Sequence, residues 1–351
     1  MTPLRSPTHL PQQIYDGSMS NPQVPLSILD LAMVDPGDSV ADALSASVAL
    51  AHAAEERGYK RIWYAEHHNM KAIASAATSV LIAHIAANTE RILLGSGGIM
   101  LPNHSPLVIA EQFGTLASLH PGRIELGLGR APGSDQATAY AMRRDHTAGT
   151  EFPRDVVELQ GFLSGNSLVH GVEAIPGAGT NVPITILGSS LFGAQLAAQL
   201  GLPYGFASHF APTHLQEAIA IYRSRFTPSA QLSEPRCLAA INVVVGESTE
   251  EAEATAAEVK RQRVGRFIGR GRTFTERELD DLVASPQGRQ IIAMMEHTAI
   301  GTPSEVRTQL DQFKTFADAD ELIVSHNALS AEGRVRSVHL VADAWAPVAQ
   351  R

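Results

Sequence analysis

Eight short runs rich in Ile, Leu and Val recur along the chain, separated by longer Ala-rich stretches of helical period, and few architectures accept that rhythm. The runs are Pro25 to Met33, Arg61 to Glu66, Ile92 to Leu101, Arg123 to Leu128, Pro183 to Gly188, Pro203 to Ala207, Leu238 to Val245 and Glu321 to His326. Strands that are apolar almost throughout belong to a parallel sheet covered on both faces, and parallel neighbours need a crossover, usually a helix, between them. Eight such units predict an α/β fold, a (β/α)8 TIM barrel. The intervening helices read clearly. Asp42 to Arg57 carries Leu44, Val48 and Ala51 at helical spacing and ends at Gly58, and Ser75 to Asn88 and Pro106 to Leu119 follow the same logic. Another helix starts at Leu191 and closes at Gly201.

Two connections exceed what a simple unit needs: Gly129 to Asn181 after the fourth strand and Gly246 to Asp320 after the seventh. Both leave the strand ends that carry the active site in a barrel, so these insertions are expected to shape a pocket or lid. The second holds helical patterns at Thr249 to Phe267, Glu276 to Thr298 and Ser304 to Phe316. Residues 1 to 23 are polar and broken by four prolines, which predicts a flexible N-terminal tail and leaves 24 to 351 as one domain.

Composition narrows the function classes. A chain that is 44% hydrophobic and 18% charged buries a sizeable core. A net charge of −9 with scattered Lys and Arg provides no footprint for nucleic acid or an anionic membrane, so the expected partner is a small molecule. Cys237 has no second cysteine to pair with, in keeping with a cytoplasmic location, and every apolar stretch is interrupted too often to span a bilayer. Glycine-rich dinucleotide fingerprints, a P-loop lysine and a nucleophilic serine elbow are all missing.

Three places carry chemistry. Glu66, His67 and His68 stand where the second strand ends, at the expected mouth, and an imidazole titrating near neutrality suits proton transfer. Side chains alternate along a strand, so His67 faces opposite to Glu66 and His68, and the spacing alone does not choose between the two sets. A zinc site would need further ligands from scattered residues such as His104 or His209, so no metal is expected. Gly95-Ser96-Gly97-Gly98 interrupts an apolar strand, which means either a flat ligand against the backbone or a barrel too tight for side chains. After the strand ends at Gly188, Ser189 and Ser190 deliver hydroxyls onto the start of the helix that contains Gly193, a geometry that binds phosphate or simply caps the helix. Arg130, in Leu128-Gly129-Arg130-Ala131-Pro132-Gly133, offers a permanent charge to the same anion.

These residues resemble those of the luciferase-like, flavin-dependent monooxygenases, from about Leu26 to Ala207 and more weakly beyond. The most specific pieces are Ala65-Glu66-His67-His68-Asn69, the run Leu94 to Pro102, and Pro121 to Arg130. The resemblance implies that His67 is the catalytic histidine with Glu66 beside the flavin, and that Gly97-Gly98 is a non-proline cis peptide under the flavin ring. It places Ser189, Ser190 and Gly193 at the phosphate end, with Arg130 and Pro132 at the edge of the flavin. It implies reduced FMN supplied by a separate flavin reductase, and O2 used to oxygenate a small organic substrate, in a protein that is often a homodimer. Gly129 stands where bacterial luciferase has a reactive cysteine, so light emission is not implied. A deazaflavin-dependent hydride transfer and a non-catalytic flavin-binding barrel are the alternatives.

Overall fold

A computed structural model describes residues 23–131, 135–144, 149–269, 272 and 274–346. The chain runs β1 Leu26–Asp30, α1 Val40–Glu56, β2 Arg61–Tyr64, α2 Thr78–Ala87, β3 Leu93–Met100, α3 Pro106–Leu119 and β4 Ile124–Gly129. It continues with α4 Gln136–Ala141, α5 Phe152–Ser164, β5 Ile184–Gly188, α6 Leu191–Leu200, β6 Tyr204–Phe206, α7 Leu215–Arg225 and β7 Cys237–Val245. The last part is α8 Thr249–Gly269, α9 Glu276–Ala284, α10 Pro286–Ala293, β8 Thr298–Gly301, α11 Pro303–Phe316, β9 Glu321–His326 and α12 Ala331–Trp345. Strands β1 to β7 and β9 pair in parallel with their neighbours, and β9 returns to β1, which closes an eight-stranded barrel.

All eight sequence-expected strands are present, and one more, β8, was not expected. It pairs only with the upper half of β7, through Asn242 to Val245, directly beyond the short β6, which pairs with Cys237 to Ala239. The stretch expected to be helical from Glu276 to Thr298 is two helices broken at Ser285-Pro286, and its end belongs to β8. Proline fits the first turn of a helix but not its interior, so Ser285 caps a new helix there. The long connections are also only partly insertions. α5 packs beside α3 as an ordinary barrel helix, and α11 is the crossover into β9.

Capping explains the helix ends. Ser39 and Asp42 form a reciprocal capping box at the start of α1, moving its start to Val40. Past its end Gly58 takes a φ of +75°, which a side chain disfavours.

Alternation along the strands divides the interior into two layers. Ile62 and Tyr64 join the layer between strands and helices, whereas Trp63 and Ala65 point into the barrel with Leu29, Leu238, Ala240 and Ile323. Large lumen side chains leave no space opposite them. An added Cβ would lie 2.7 Å from Leu29 Cδ1 at Gly97, 2.7 Å from the Gly127 carbonyl oxygen at Gly98, and 2.2 Å from the Ser96 carbonyl oxygen at Gly127. Leu29 and the backbone of the neighbouring strand thus give these positions a packing reason to be glycine. Gly127→Ala is expected to cost about 1–3 kcal/mol, because backbone cannot step aside as a flexible side chain would. A urea midpoint equal to that of the wild type would rule out this packing account.

Candidate active site

β2 ends at Tyr64, but Ala65 N–H still donates to Asp30 O at 3.1 Å, so extended geometry carries the alternation into Glu66-His67-His68. Glu66 follows Tyr64 outward and His67 follows Trp63 and Ala65 inward. The contacts agree. Glu66 Oε1 accepts from His68 Nε2 at 2.8 Å, Asn103 Nδ2 at 3.1 Å and His104 Nε2 at 3.0 Å, and Oε2 accepts from Met100 N–H at 3.0 Å. Burial works against the charge on Glu66, yet the bonds from His104, His68 and Asn103 outweigh it and hold the carboxyl below its usual range. The carboxylate thus ties the end of β2 to the turn after β3.

His67 makes no hydrogen bond to any described residue and faces the barrel mouth. Burial lowers its pKa more than Glu66 raises it, and His68 lowers it further, so the imidazole is neutral at neutral pH. Its neighbour across the mouth is His209, in the loop after β6. That loop is fixed to β7, where Ser208 Oγ donates to Ala240 O at 2.6 Å and Asn242 Nδ2 donates to His209 O at 2.6 Å. Burial, with Arg263 and His67 nearby, drives the His209 pKa down to about 3. Sequence reasoning had His104 and His209 only as remote metal ligands and missed Asn103 and Arg263. The alternation that puts Trp63, Ala65 and His67 on one face was the available signal for His67. Nothing local pointed to His209.

On β3, the strand paired with β2, Gly97-Gly98 is a non-proline cis peptide, and the β3–β4 register shifts there between Ser96 and Ile99. Gly129 leaves a space that the Met100 side chain fills, its Sδ 2.8 Å from where a Cβ would stand. At β5, Gly188 and Gly193 bring strand and helix close, so that a Cβ built on either would lie 3.9 Å from the other's Cα. Ser190 is at the N-cap of α6 in extended conformation, but its side chain makes no capping bond, and neither it nor Ser189 bonds a described residue through its hydroxyl. Simple capping is therefore not their use here. Arg130 lies with its guanidinium carbon 4.2 Å from the centre of the Phe192 ring, in the first turn of α6. The structure thus brings Arg130, Ser189 and Ser190 together at an uncapped helix N-terminus. Pro132 lies outside the described residues.

Among the described residues no helix is long and apolar enough to cross a membrane. Residues 24–319 match the family model described as luciferase-like monooxygenase. A luciferase-like monooxygenase of Escherichia coli strain K12 is 46% identical over 93% of this chain and 98% of its own. The N-acetyl-S-alkylcysteine monooxygenase of Bacillus subtilis is 32% identical over 91% and 97%. Among solved structures, apo-MsnO8 is 32% identical with a TM-score of 0.82, covering 92% of this chain and 98% of its own. The fold alone is shared, at 16% and 14% identity, with the oxygenating constituent of Pseudomonas putida 3,6-diketocamphane monooxygenase in complex with FMN and with an F420-dependent secondary alcohol dehydrogenase. Their TM-scores are 0.68 and 0.67, with coverage of 92% and 93% of this chain and 98% and 100% of theirs. With the parallel barrel and the Glu66-His67-His68 run in place, these matches make the chain a member of the luciferase-like monooxygenase family, an oxidoreductase.

Proposed function

We propose that this protein is an FMN-dependent monooxygenase that takes reduced FMN from a separate reductase and uses O2 to oxygenate a small organic substrate. The observation that carries the reading is the coincidence, at one mouth, of a neutral inward-facing His67 and an open anion cradle. The residues fit the cofactor. Arg130, Ser189, Ser190 and the free N–H groups of α6 would hold its phosphate, Gly188 and Gly193 would let it approach the backbone, and Gly97-Gly98 would lie under its ring. Bound reduced flavin would supply the electrons and the activation of O2.

The chain's own residues do the rest. His67, neutral and without a hydrogen-bond partner among the described residues, is available to take or return a proton at its free ring nitrogen. Glu66 acts through position, anchoring the strand end that carries His67 to Met100, Asn103 and His104. The same reading includes a homodimer that covers Val80 of α2 and Val108 of α3, which are 68% and 42% exposed.

Removing the Arg130 charge tests the cradle. Arg130→Ala should weaken FMN binding about 10- to 100-fold, the worth of one charge-assisted hydrogen bond, and leave riboflavin, which has no phosphate, unaffected. Equal affinity of the wild type for FMN and riboflavin would sink the assignment. Likeness to an F420-dependent enzyme favours a deazaflavin as the second reading. Oxygen uptake with reduced FMN decides between them, because hydride transfer from a deazaflavin consumes none.

A further inference from the structure

One cation at the mouth is not used by the flavin cradle. Arg263 sits on α8, two residues from Arg261, and two residues on a helix are turned by about 200° from each other. Arg261 faces Glu258, Glu276 and Asp280 at 3.3, 2.8 and 3.1 Å, so Arg263 takes the opposite face, away from those carboxylates. Its guanidinium rests over Phe267, 5.4 Å from the ring centre, and its buried Nε has no hydrogen-bond partner. Among the described residues no carboxylate forms an ion pair with it. His209 Nδ1 is buried and unpartnered in the same way. The charge of Arg263 reaches His209, which in turn neighbours His67, so these groups share one region of the mouth.

A buried guanidinium nitrogen without a partner is costly, and so is a buried ring nitrogen in the same state. Both costs are relieved by one ligand group that accepts hydrogen bonds and carries negative charge. We propose that Arg263 and His209 recognise an oxyanion, a carboxylate or a sulfonate, on the substrate and hold it so that its other end lies beside His67. The proposal rests on the monooxygenase reading for the identity of the site and adds the class of substrate. The guanidinium offers a planar fork of donors and keeps its charge, and His209 adds one N–H from a neutral ring. His209 stays neutral throughout the physiological range, which leaves His67 as the ring that moves protons. The flavin phosphate would not need this cation, because Arg130 and the start of α6 would serve it.

Calorimetry on the FMN-saturated protein tests the proposal with hexanoate, N-acetyl-S-methylcysteine and hexanesulfonate, each against its neutral methyl ester. At least one anion should bind the wild type about tenfold or more tighter than its ester. Arg263→Gln should abolish that preference and Arg263→Lys keep part of it, with FMN affinity unchanged in both. The hexanoate and hexanesulfonate arms tell carboxylate from sulfonate. The proposal is overturned if no anion in the set outbinds its ester, if Arg263→Gln keeps the preference, or if Arg263→Gln weakens FMN instead. Failure of the flavin reading looks different: the wild type then binds no FMN, while the anion preference, measured on the same protein without FMN, is read independently.

Discussion

Replacing His67 with alanine is expected to lower turnover about 10²- to 10⁴-fold, the usual contribution of a positioned proton-transfer group, while FMN affinity stays within a few fold. The side chain makes no hydrogen bond to a described residue, so its loss should act on chemistry and not on stability. Oxygen uptake with reduced FMN, divided into product formation and peroxide released without product, separates the two. Product should fall and the uncoupled share rise. The pH profile gives a second readout. Burial lowers the His67 pKa from 6.5, so the neutral ring predominates at pH 7 and is lost as the pH falls through that lowered value. If the neutral ring accepts a proton, kcat/KM should show an acid limb that lies below pH 6.5, and His67→Asn should erase it. Unchanged turnover in His67→Ala would remove the residue from the reaction and revive a non-catalytic flavin-binding barrel.

At the opposite end of the barrel, Glu321→Ala is expected to destabilise the protein by about 3–5 kcal/mol, the cost of breaking a buried ion pair from one side. The Glu321 side chain is fully buried at the start of β9, with Arg61 Nε at 2.8 Å, Lys60 Nζ at 3.3 Å and Arg236 Nη2 at 2.6 Å. Ser27 Oγ adds a hydrogen bond, and Arg61 Nη1 reaches on to Glu125 at 2.7 Å. Burial opposes the charge on Glu321, but Arg61 and Lys60 more than compensate and hold its pKa below 4.5. Its stabilisation is therefore complete above pH 4.5 and is lost as the pH falls through the lower folded value, so wild type and variant should converge in acid. Glu321→Gln, which keeps the size and removes the charge, should lose much of the same stability. If the glutamine variant unfolds in urea at the wild-type midpoint, packing and not charge holds the barrel floor.

The elements were legible in the sequence because what specifies them is local. Apolar runs, Gly58 after α1 and Pro106 at the start of α3 place strand and helix ends to within a few residues. β8 escaped because Thr298–Gly301 is four residues long and follows a helical pattern without a break, and only its pairing with β7 makes it a strand. The Glu66-His67-His68 run was legible as a site, but its division of labour was not. The strand's phase had to be set by Trp63 and Ala65 packing into the lumen before His67 could be assigned inward and Glu66 outward. Likewise the packing need for the β3 glycines showed only once Leu29, Leu187 and the Gly127 carbonyl were seen to stand where a Cβ would go.

By itself, then, the sequence determined the parallel barrel, the order of its units and the strand ends where chemistry belongs, since hydrophobic period and capping act between residues near in the chain. Only the tertiary structure decided that His104 serves Glu66, that His209 and Arg263 join His67, that Arg130 meets the first turn of α6, and that Glu321 gathers three cations. Each of those is a meeting of side chains remote in sequence, made by closure of the barrel, and no local pattern encodes it.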